Sequence, residues 1–165
     1  MNNHVTKKAF TLIEILIQLP IIALLLIIIS AVFVSLIEVN IRIYNNLQAQ
    51  QVSTQLLSTI TDDIKWAESV AYSPPDLTIN KNSSTIVYFY NGEKLFRRET
   101  TDSGETIDES LIPSKYKLNN FSVVQRSIYT RIPSYQVLFD LTYEYKGILN
   151  SINAEVTASV RNRYL

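Results

Sequence analysis

A long uncharged apolar segment constrains this chain more than any other feature of its sequence. From Ile15 to Ile37 there is no Asp, Glu, Lys or Arg, and only Gln18, Pro20 and two serines interrupt the apolar residues. At about 1.5 Å per residue, a helix over this segment is about 35 Å long, which exceeds the bilayer hydrocarbon core of about 30 Å. The sequence therefore predicts a membrane-spanning helix, which we place at residues 10–37.

A cleaved secretory signal peptide is the alternative interpretation, because Lys7 and Lys8 precede the apolar segment. The segment is longer than a typical signal-peptide core of about 7 to 15 residues, and no A-x-A site closes it. Basic residues before the span and Glu38 directly after it predict a cytoplasmic N-terminus, with the chain outside from about residue 38.

The residues that most enzymes use are scarce. The sequence has no cysteine and one histidine, His4, so the part after the span cannot hold a Ser-His-Asp triad or a His- or Cys-ligated zinc. The glycines Gly92, Gly104 and Gly147 are too far apart for a phosphate-binding loop. We expect no catalytic residue, metal or cofactor, and hence no enzyme, although paired carboxylates remain formally possible.

The charge balance does not favour a nucleic-acid partner. The net charge is +0, and without Lys7 and Lys8 the remaining chain has 13 basic and 15 acidic side chains, or −2. Nucleic-acid binders normally carry a basic surface. DNA binding stays the weaker hypothesis, and its candidate residues are Arg126, Arg131, Arg161 and Arg163.

A helical pattern continues beyond the span. Apolar residues recur at steps of three and four, which is typical of one buried helix face: Ile37, Ile41, Tyr44, Val52, Leu56, Leu57, Ile60, Ile64, Ala67 and Ala71. Polar residues occupy the opposite face: Asn45, Gln50, Gln55, Thr59, Asp63 and Glu68. Because Ser73 precedes Pro74 and Pro75, the amphipathic helix is predicted to end near Tyr72 and to cover residues 38–72.

Beyond Pro75 the apolar period changes to two, which indicates β-strands. Residues 85–90 and 93–99 flank Asn91-Gly92 and predict a hairpin. Residues 137–145 and 152–160 predict a second hairpin with a turn from Lys146 to Ser151, and 121–129 a further strand. We therefore expect an α+β fold in which the long helix packs on an antiparallel sheet within residues 73–165.

Residues 100–110 (TTDSGETIDES) combine acidic and flexible residues. Their spacing does not match the ligand positions of an EF-hand, so a solvated loop is favoured and calcium binding is the minority interpretation. Arg97 and Arg98 are likewise expected to be solvated charges.

The segment KKAFTLIE, residues 7–14, followed by the apolar run resembles the N-terminal signature of type IV pilins and type II secretion pseudopilins. The resemblance implies a leader over residues 1–9, cleavage between Ala9 and Phe10 by prepilin peptidase, and N-methylation of Phe10. The implied peptidase and assembly signal consists of Lys7, Lys8, Phe10, Thr11, Leu12, Ile13 and Glu14. The chain departs from the family pattern at Ala9, where glycine is usual, and at Pro20, since the familiar pilin proline would fall at Ala31.

The resemblance also implies a role for Glu14, which would pair with the Phe10 amine of a neighbouring subunit and set the subunit register. A lone carboxylate at the bilayer centre costs about 2.5 to 3.5 kcal/mol, and Glu14 avoids most of this cost by lying near the interface. Low dielectric strengthens the pairing once the amine is exposed. The alternative is an interfacial glutamate without a partner.

Residues 55–72 and the segment YNGEKLFRRE, residues 90–99, are similar to J-type minor pseudopilins and W-type minor pilins. This implies a low-copy structural subunit that primes or caps a filament. Its partners would be other pilin or pseudopilin subunits, prepilin peptidase, a membrane assembly platform and the lipid bilayer. It would be a single-pass protein of the cytoplasmic (inner) membrane, with a periplasmic or extracellular C-terminal domain, and would enter the filament on assembly. A DNA-binding minor pilin of a competence pilus is the alternative.

The first prediction concerns processing. In cells with active prepilin peptidase, the membrane-extracted protein should begin at Phe10 and carry one added methyl group, because the basic leader, a small residue and FTLIE meet there. Intact-mass measurement and N-terminal sequencing test this. A mature protein that retains Lys7 and Lys8 would contradict the family resemblance.

Overall fold

The computed structural model describes residues 12–126 and 133–161. The chain divides into two compact units, Met1–Tyr44 and Asn45–Leu165. In the first unit the described residues form the N-terminal part of one helix. The second unit contains the rest of that helix and all the described strands.

The secondary structure consists of one long helix followed by strands. The elements are α1 Leu12–Lys65, β1 Ser69–Ser73, β2 Asp76–Lys81, β3 Ser84–Tyr90, β4 Leu95–Thr101, β5 Thr106–Ser110, β6 Tyr116–Gln125, β7 Ser134–Tyr145 and β8 Ile148–Ser159. The α-helix is continuous through Pro20.

The strands form two antiparallel sheets. A five-stranded sheet has the order β1-β2-β3-β4-β5, and a three-stranded sheet has the order β6-β7-β8. The predicted α+β class, a long helix packed on antiparallel β-structure, is confirmed, but the structure has two sheets where the sequence predicted one.

The C-terminal part of α1 contributes one face to the core of the second unit. Leu56, Ile60 and Ile64 are buried on this face together with Ala49, as the apolar period predicts. The assignment of Asn45 and Asp63 to the solvent face was wrong, since both are buried. Their positions fall on the buried face at steps of three and four, and their polar groups have partners there: Lys115 donates to Asn45 at 2.7 Å.

The helix ends at Lys65, earlier than the predicted end near Tyr72. The peptide N–H of Glu68 already donates to the carbonyl of Asn80 at 2.8 Å, and residues 69–73 pair with β2. Burial alternates along the sequence SVAYS: Val70 and Tyr72 are half-buried, and the two serines and Ala71 are exposed. The helix therefore ends before Pro74 because residues 69–73 pair with β2 as a strand.

The two predicted hairpins are present, with different turns. The β3–β4 connection has four residues, since Tyr90 pairs with Leu95, and the Asn91 side chain accepts from the N–H groups of Glu93 and Lys94 at 3.1 and 2.8 Å. The β7–β8 turn is shorter than predicted. Lys146 and Gly147 form it with φ of 52° and 75°, the left-handed geometry of a type I′ turn.

Residues 100–110 do not form the predicted loop. β4 continues to Thr101 and β5 begins at Thr106, so the turn is confined to 102–105. The predicted strand at 121–129 is part of the longer β6, which runs to Gln125, and its last residues, 127–129, lie outside the described residues.

The two sheets meet along what we call the seam, where tyrosine hydroxyls and one backbone N–H bond to backbone carbonyls across the two sheets. β6 has β7 on one side, and tyrosine hydroxyls and the β3–β4 loop occupy its other edge. The seam bonds are Tyr72 Oη to Phe121 O at 3.3 Å, Tyr90 Oη to Leu118 O at 2.8 Å, Leu118 N to Glu93 O at 2.7 Å and Tyr135 Oη to Val70 O at 3.3 Å.

The second unit generates a prediction about folding. A chain beginning at Asn45 should be soluble and melt cooperatively, because the buried helix face and both sheets lie within it. Leu56→Asp should abolish that melt. Large-to-small changes in cores already cost about 2 to 5 kcal/mol, and an unpaired buried charge adds to a loss that approaches the usual total stability of about 5 to 15 kcal/mol.

Circular dichroism against temperature measures this effect. Gln50→Asp is the matched control, since Gln50 is an exposed residue of the same helix segment and its substitution should leave the melting temperature almost unchanged. A wild-type melting curve for Leu56→Asp would mean that this helix face does not stabilise the unit.

Candidate functional site

Most of the residues in the predicted peptidase and assembly signal precede the described part of the chain. Lys7, Lys8, Ala9, Phe10 and Thr11 lie outside the described residues. The remaining members are Leu12, Ile13 and Glu14, which form the first turn of α1 and are exposed.

The first unit exposes its apolar side chains. Every residue from Leu12 to Tyr44 is exposed. Within the described residues, α1 is the one helix long and apolar enough to cross a membrane, which is compatible with a single-pass membrane protein. The hydroxyl of Ser30 donates to the Leu26 carbonyl at 2.7 Å, so this polar group is satisfied within the helix, as an apolar environment requires.

Glu14 has no ion-pair partner among the described residues. It lies in the first turn of α1, where a carboxylate interacts favourably with the helix dipole. In chemical terms, the start of α1 presents one acid next to a continuous apolar surface, which suits association with lipid or with other apolar helices.

A second arrangement, which the sequence analysis missed, surrounds Asp63. Its side chain is 10% exposed, and it accepts from Lys81 Nζ at 2.6 Å and from Arg97 Nε at 2.9 Å. Tyr88 Oη donates to the same carboxylate at 2.5 Å. Arg97 also bonds Glu99 at 2.8 Å. We call Asp63, Lys81, Tyr88, Arg97 and Glu99 the Asp63 cluster.

Strand register explains how these residues meet. Tyr88 lies directly opposite Arg97, and Glu99 lies two residues further along β4 on the same face. That face is turned to α1, whose last turns carry Asp63. The expectation that Arg97 is solvated was wrong, because its side chain is 18% exposed and paired. The alternation of apolar and polar residues in TIVYFY and KLFRRE could have predicted that Arg97 lies on the inner face of the sheet. It could not have predicted that Arg97 pairs with Asp63.

The pKa values within the cluster follow from burial and charge. Burial raises the pKa of Asp63, but the hydrogen bonds from Arg97, Lys81 and Tyr88 outweigh it and hold this pKa below its ordinary value of 3.8. Burial and then the charge of Asp63 raise the pKa of Tyr88 far above its ordinary 10.0, so its hydroxyl remains a donor. Since each member bonds another, the cluster serves to fix the helix on the sheet.

The acidic residues after β4 do not come together in a way that would hold a cation. Asp108 bonds Arg98 through two contacts, at 2.7 and 2.8 Å. Among the residues that the structure describes, no three His, Cys, Asp or Glu side chains are grouped closely enough to ligate a metal ion.

The arginines proposed for DNA binding are partly engaged elsewhere. Arg126 donates to the side chain of Gln136, and the Arg161 guanidinium lies 5.7 Å from the centre of the Trp66 ring. Arg131 and Arg163 lie outside the described residues. The described pair therefore gives no additional support to a DNA-binding surface.

Comparisons of this chain with protein-family models, with curated proteins and with solved structures found no match.

The Asp63 cluster predicts a stability difference that depends on pH. Asp63→Asn should lower the free energy of unfolding at pH 7 by about 3 to 5 kcal/mol, because it leaves Lys81 and the Arg97 Nε without their charged partner. The folded-state pKa of Asp63 lies below its unfolded value. Its contribution is therefore present above about pH 4 and is lost as the pH falls through the folded-state pKa.

Denaturant unfolding at several pH values measures the difference. The gap between wild type and Asp63→Asn should narrow below about pH 4. Asp62→Asn is the control, since the Asp62 side chain is 60% exposed and its contact with Lys65 is 3.5 Å. Equal stability of the two variants at pH 7 would show that the cluster does not stabilise the fold.

Proposed function

We propose that this protein is a minor, low-copy structural subunit of a type IV pilus or type II secretion pseudopilus. Prepilin peptidase would remove residues 1–9 and the new amino-terminal Phe10 would be methylated. The subunit would wait in the cytoplasmic membrane until the assembly platform moves it into the filament, where it would prime or cap assembly.

The observation that carries this proposal is the combination of the KKAFTLIE segment with an exposed helical surface directly after it. From Leu12 to Tyr44 every residue of the helix is exposed. Apolar surface of this extent is unfavourable in water, and exposed apolar patches mark membrane or protein contacts. A subunit that passes from a bilayer into a helical filament core needs such a surface in both places.

Glu14 gives the proposal a mechanism. In the membrane the carboxylate would lie near the cytoplasmic interface, where water and headgroups reduce its cost. In the filament it would accept a hydrogen bond from the methylated amine of Phe10 in a neighbouring subunit. Since an apolar contact between helices allows sliding, one charged pair per interface would supply the axial register that the apolar surface lacks.

The second unit agrees with a structural role. Its hairpin YNGEKLFRRE supplies Arg97 to the Asp63 cluster, so this segment of resemblance serves to hold the helix on the sheet. A low-copy position is the part of the proposal that rests on the resemblance to J-type and W-type subunits alone. The proposal includes no enzymatic activity and no cofactor.

The test is Glu14→Gln. Insertion and cleavage should be almost unchanged, because the apolar span and the Ala9–Phe10 junction are intact. Recovery in sheared filaments should fall on the order of tenfold or more at equal membrane abundance, since the amine of the neighbour loses its charged partner in low dielectric. Quantitative immunoblotting of filament and membrane fractions measures the ratio.

Glu38→Gln is the matched control, because Glu38 lies at the other end of the uncharged segment. It should enter filaments like wild type. If Glu14→Gln is recovered in filaments as well as wild type is, Glu14 is an ordinary interfacial acid and the assembly mechanism is refuted.

A further inference from the structure

β5 ends the five-stranded sheet, and no described strand pairs with its outer edge. The N–H of Leu111 donates to Leu95 O at 3.1 Å, and that of Thr101 donates to Glu105 O at 2.9 Å. In an antiparallel pair hydrogen-bonded residues alternate with non-bonded ones, so in the β4–β5 register the bonded β5 residues are 105, 107, 109 and 111. The residues between them direct their N–H and C=O groups away from β4: Thr106, Asp108 and Ser110.

The other sheet edges differ from this one. The seam bonds occupy the outer edge of β6, and Tyr135 Oη donates to Val70 O of β1 at 3.3 Å. β8 also ends its sheet, but its one charged residue, Glu155, accepts a hydrogen bond from Gln136. β8 therefore offers no unused charge that could select a partner.

A cavity lies beside the β5 edge, on the side of the sheet that faces α1. Its volume is about 270 Å³, and its lining includes Val52, Gln55 and Leu56 of the helix and Glu109 and Leu111 of the chain at β5. Ile107, on the same face of β5, is 58% exposed. A strand added to β5 would cover Ile107 and place alternate side chains over this cavity.

The acidic side chains at this edge determine the charge that an added strand would need for favourable contacts. Asp102, Glu105 and Glu109 are exposed, and no ion pair is found for them among the described residues. One face of this segment carries residues 105, 107, 109 and 111. Its side chains are therefore acidic and apolar in alternation. A complementary strand would present basic and apolar residues in alternation on its matching face.

We propose that the open edge of β5 binds an extended segment of another protein by strand addition, and that this segment carries alternating basic and apolar residues on the face turned to α1. Backbone hydrogen bonds to Thr106, Asp108 and Ser110 supply affinity, and the acidic residues and the cavity supply selectivity. This binding site does not depend on the pilin assignment.

A palindromic peptide tests the proposal, because it presents the same order of side chains in either strand direction. The probe is Ac-Val-Thr-Lys-Thr-Val-Thr-Lys-Thr-Val-NH2, whose lysines and valines share one face. Binding to the full-length protein in detergent micelles is measured by calorimetry and by hydrogen exchange. The amides of Thr106, Asp108 and Ser110 should become protected at saturation, and those at the exposed helix start should not.

Two peptide controls separate strand addition from charge attraction. The same peptide with N-methylated threonine amides cannot pair with β5 and should bind about tenfold more weakly or worse. A peptide with glutamates in place of the lysines should lose affinity by a similar factor. Equal binding of the N-methylated peptide, or absence of binding by the probe, would overturn the proposal.

A charge reversal in the protein completes the test. Glu109→Lys should weaken binding of the lysine peptide and favour the glutamate peptide. Glu68→Lys is the matched control, since Glu68 is an exposed acid beside β1, at the opposite end of the sheet, and it should bind like wild type. An equal loss of affinity in both variants would show a general charge effect and refute a site at β5.

Discussion

The structure of the second unit depends on the buried carboxylate of Asp63. It is the one acid on the inner face of α1 near the helix end, and three donors from β2, β3 and β4 converge on it. An apolar helix can slide or rotate on an apolar sheet at little cost, whereas a buried charge with a single set of partners cannot. The cluster thus selects one placement of the helix among many that would bury Leu56 and Ile60 equally well.

The same helix meets two environments, and its sequence is divided accordingly. Residues 12–44 are exposed throughout, and from Asn45 one face is buried in the second unit. The change falls where the polar face of the helix begins, with Asn45 itself bonded to Lys115. Composition along α1 therefore distinguishes two parts. The part from Asn45 onward packs against its own chain, and the apolar part before it is exposed and suited to contact with lipid or protein.

Periodicity alone could predict the apolar helix, the buried stripe through Leu56 and Ile60, and the strands of both hairpins, because these depend on repeating side chains. Three features depended on pairing between elements and could not be predicted. Strand register brings Lys81, Tyr88 and Arg97 to Asp63, the helix end at Lys65 is decided by pairing with β2, and β5 forms by pairing with β4. The predicted cleavage residues precede the described chain, so their role stays a prediction.

The seam between the two sheets gives the second unit a mechanical property of its own. Ladder bonds within each sheet must break together when strands shift, but the seam consists largely of tyrosine hydroxyls on backbone carbonyls. Tyr90 Oη lies within 2.7, 2.8 and 3.1 Å of the carbonyls of Gly92, Leu118 and Asn119, so it can exchange one acceptor for the next as the sheets move. The seam is therefore held less rigidly than either ladder, because a tyrosine hydroxyl can change its acceptor without breaking any strand pairing.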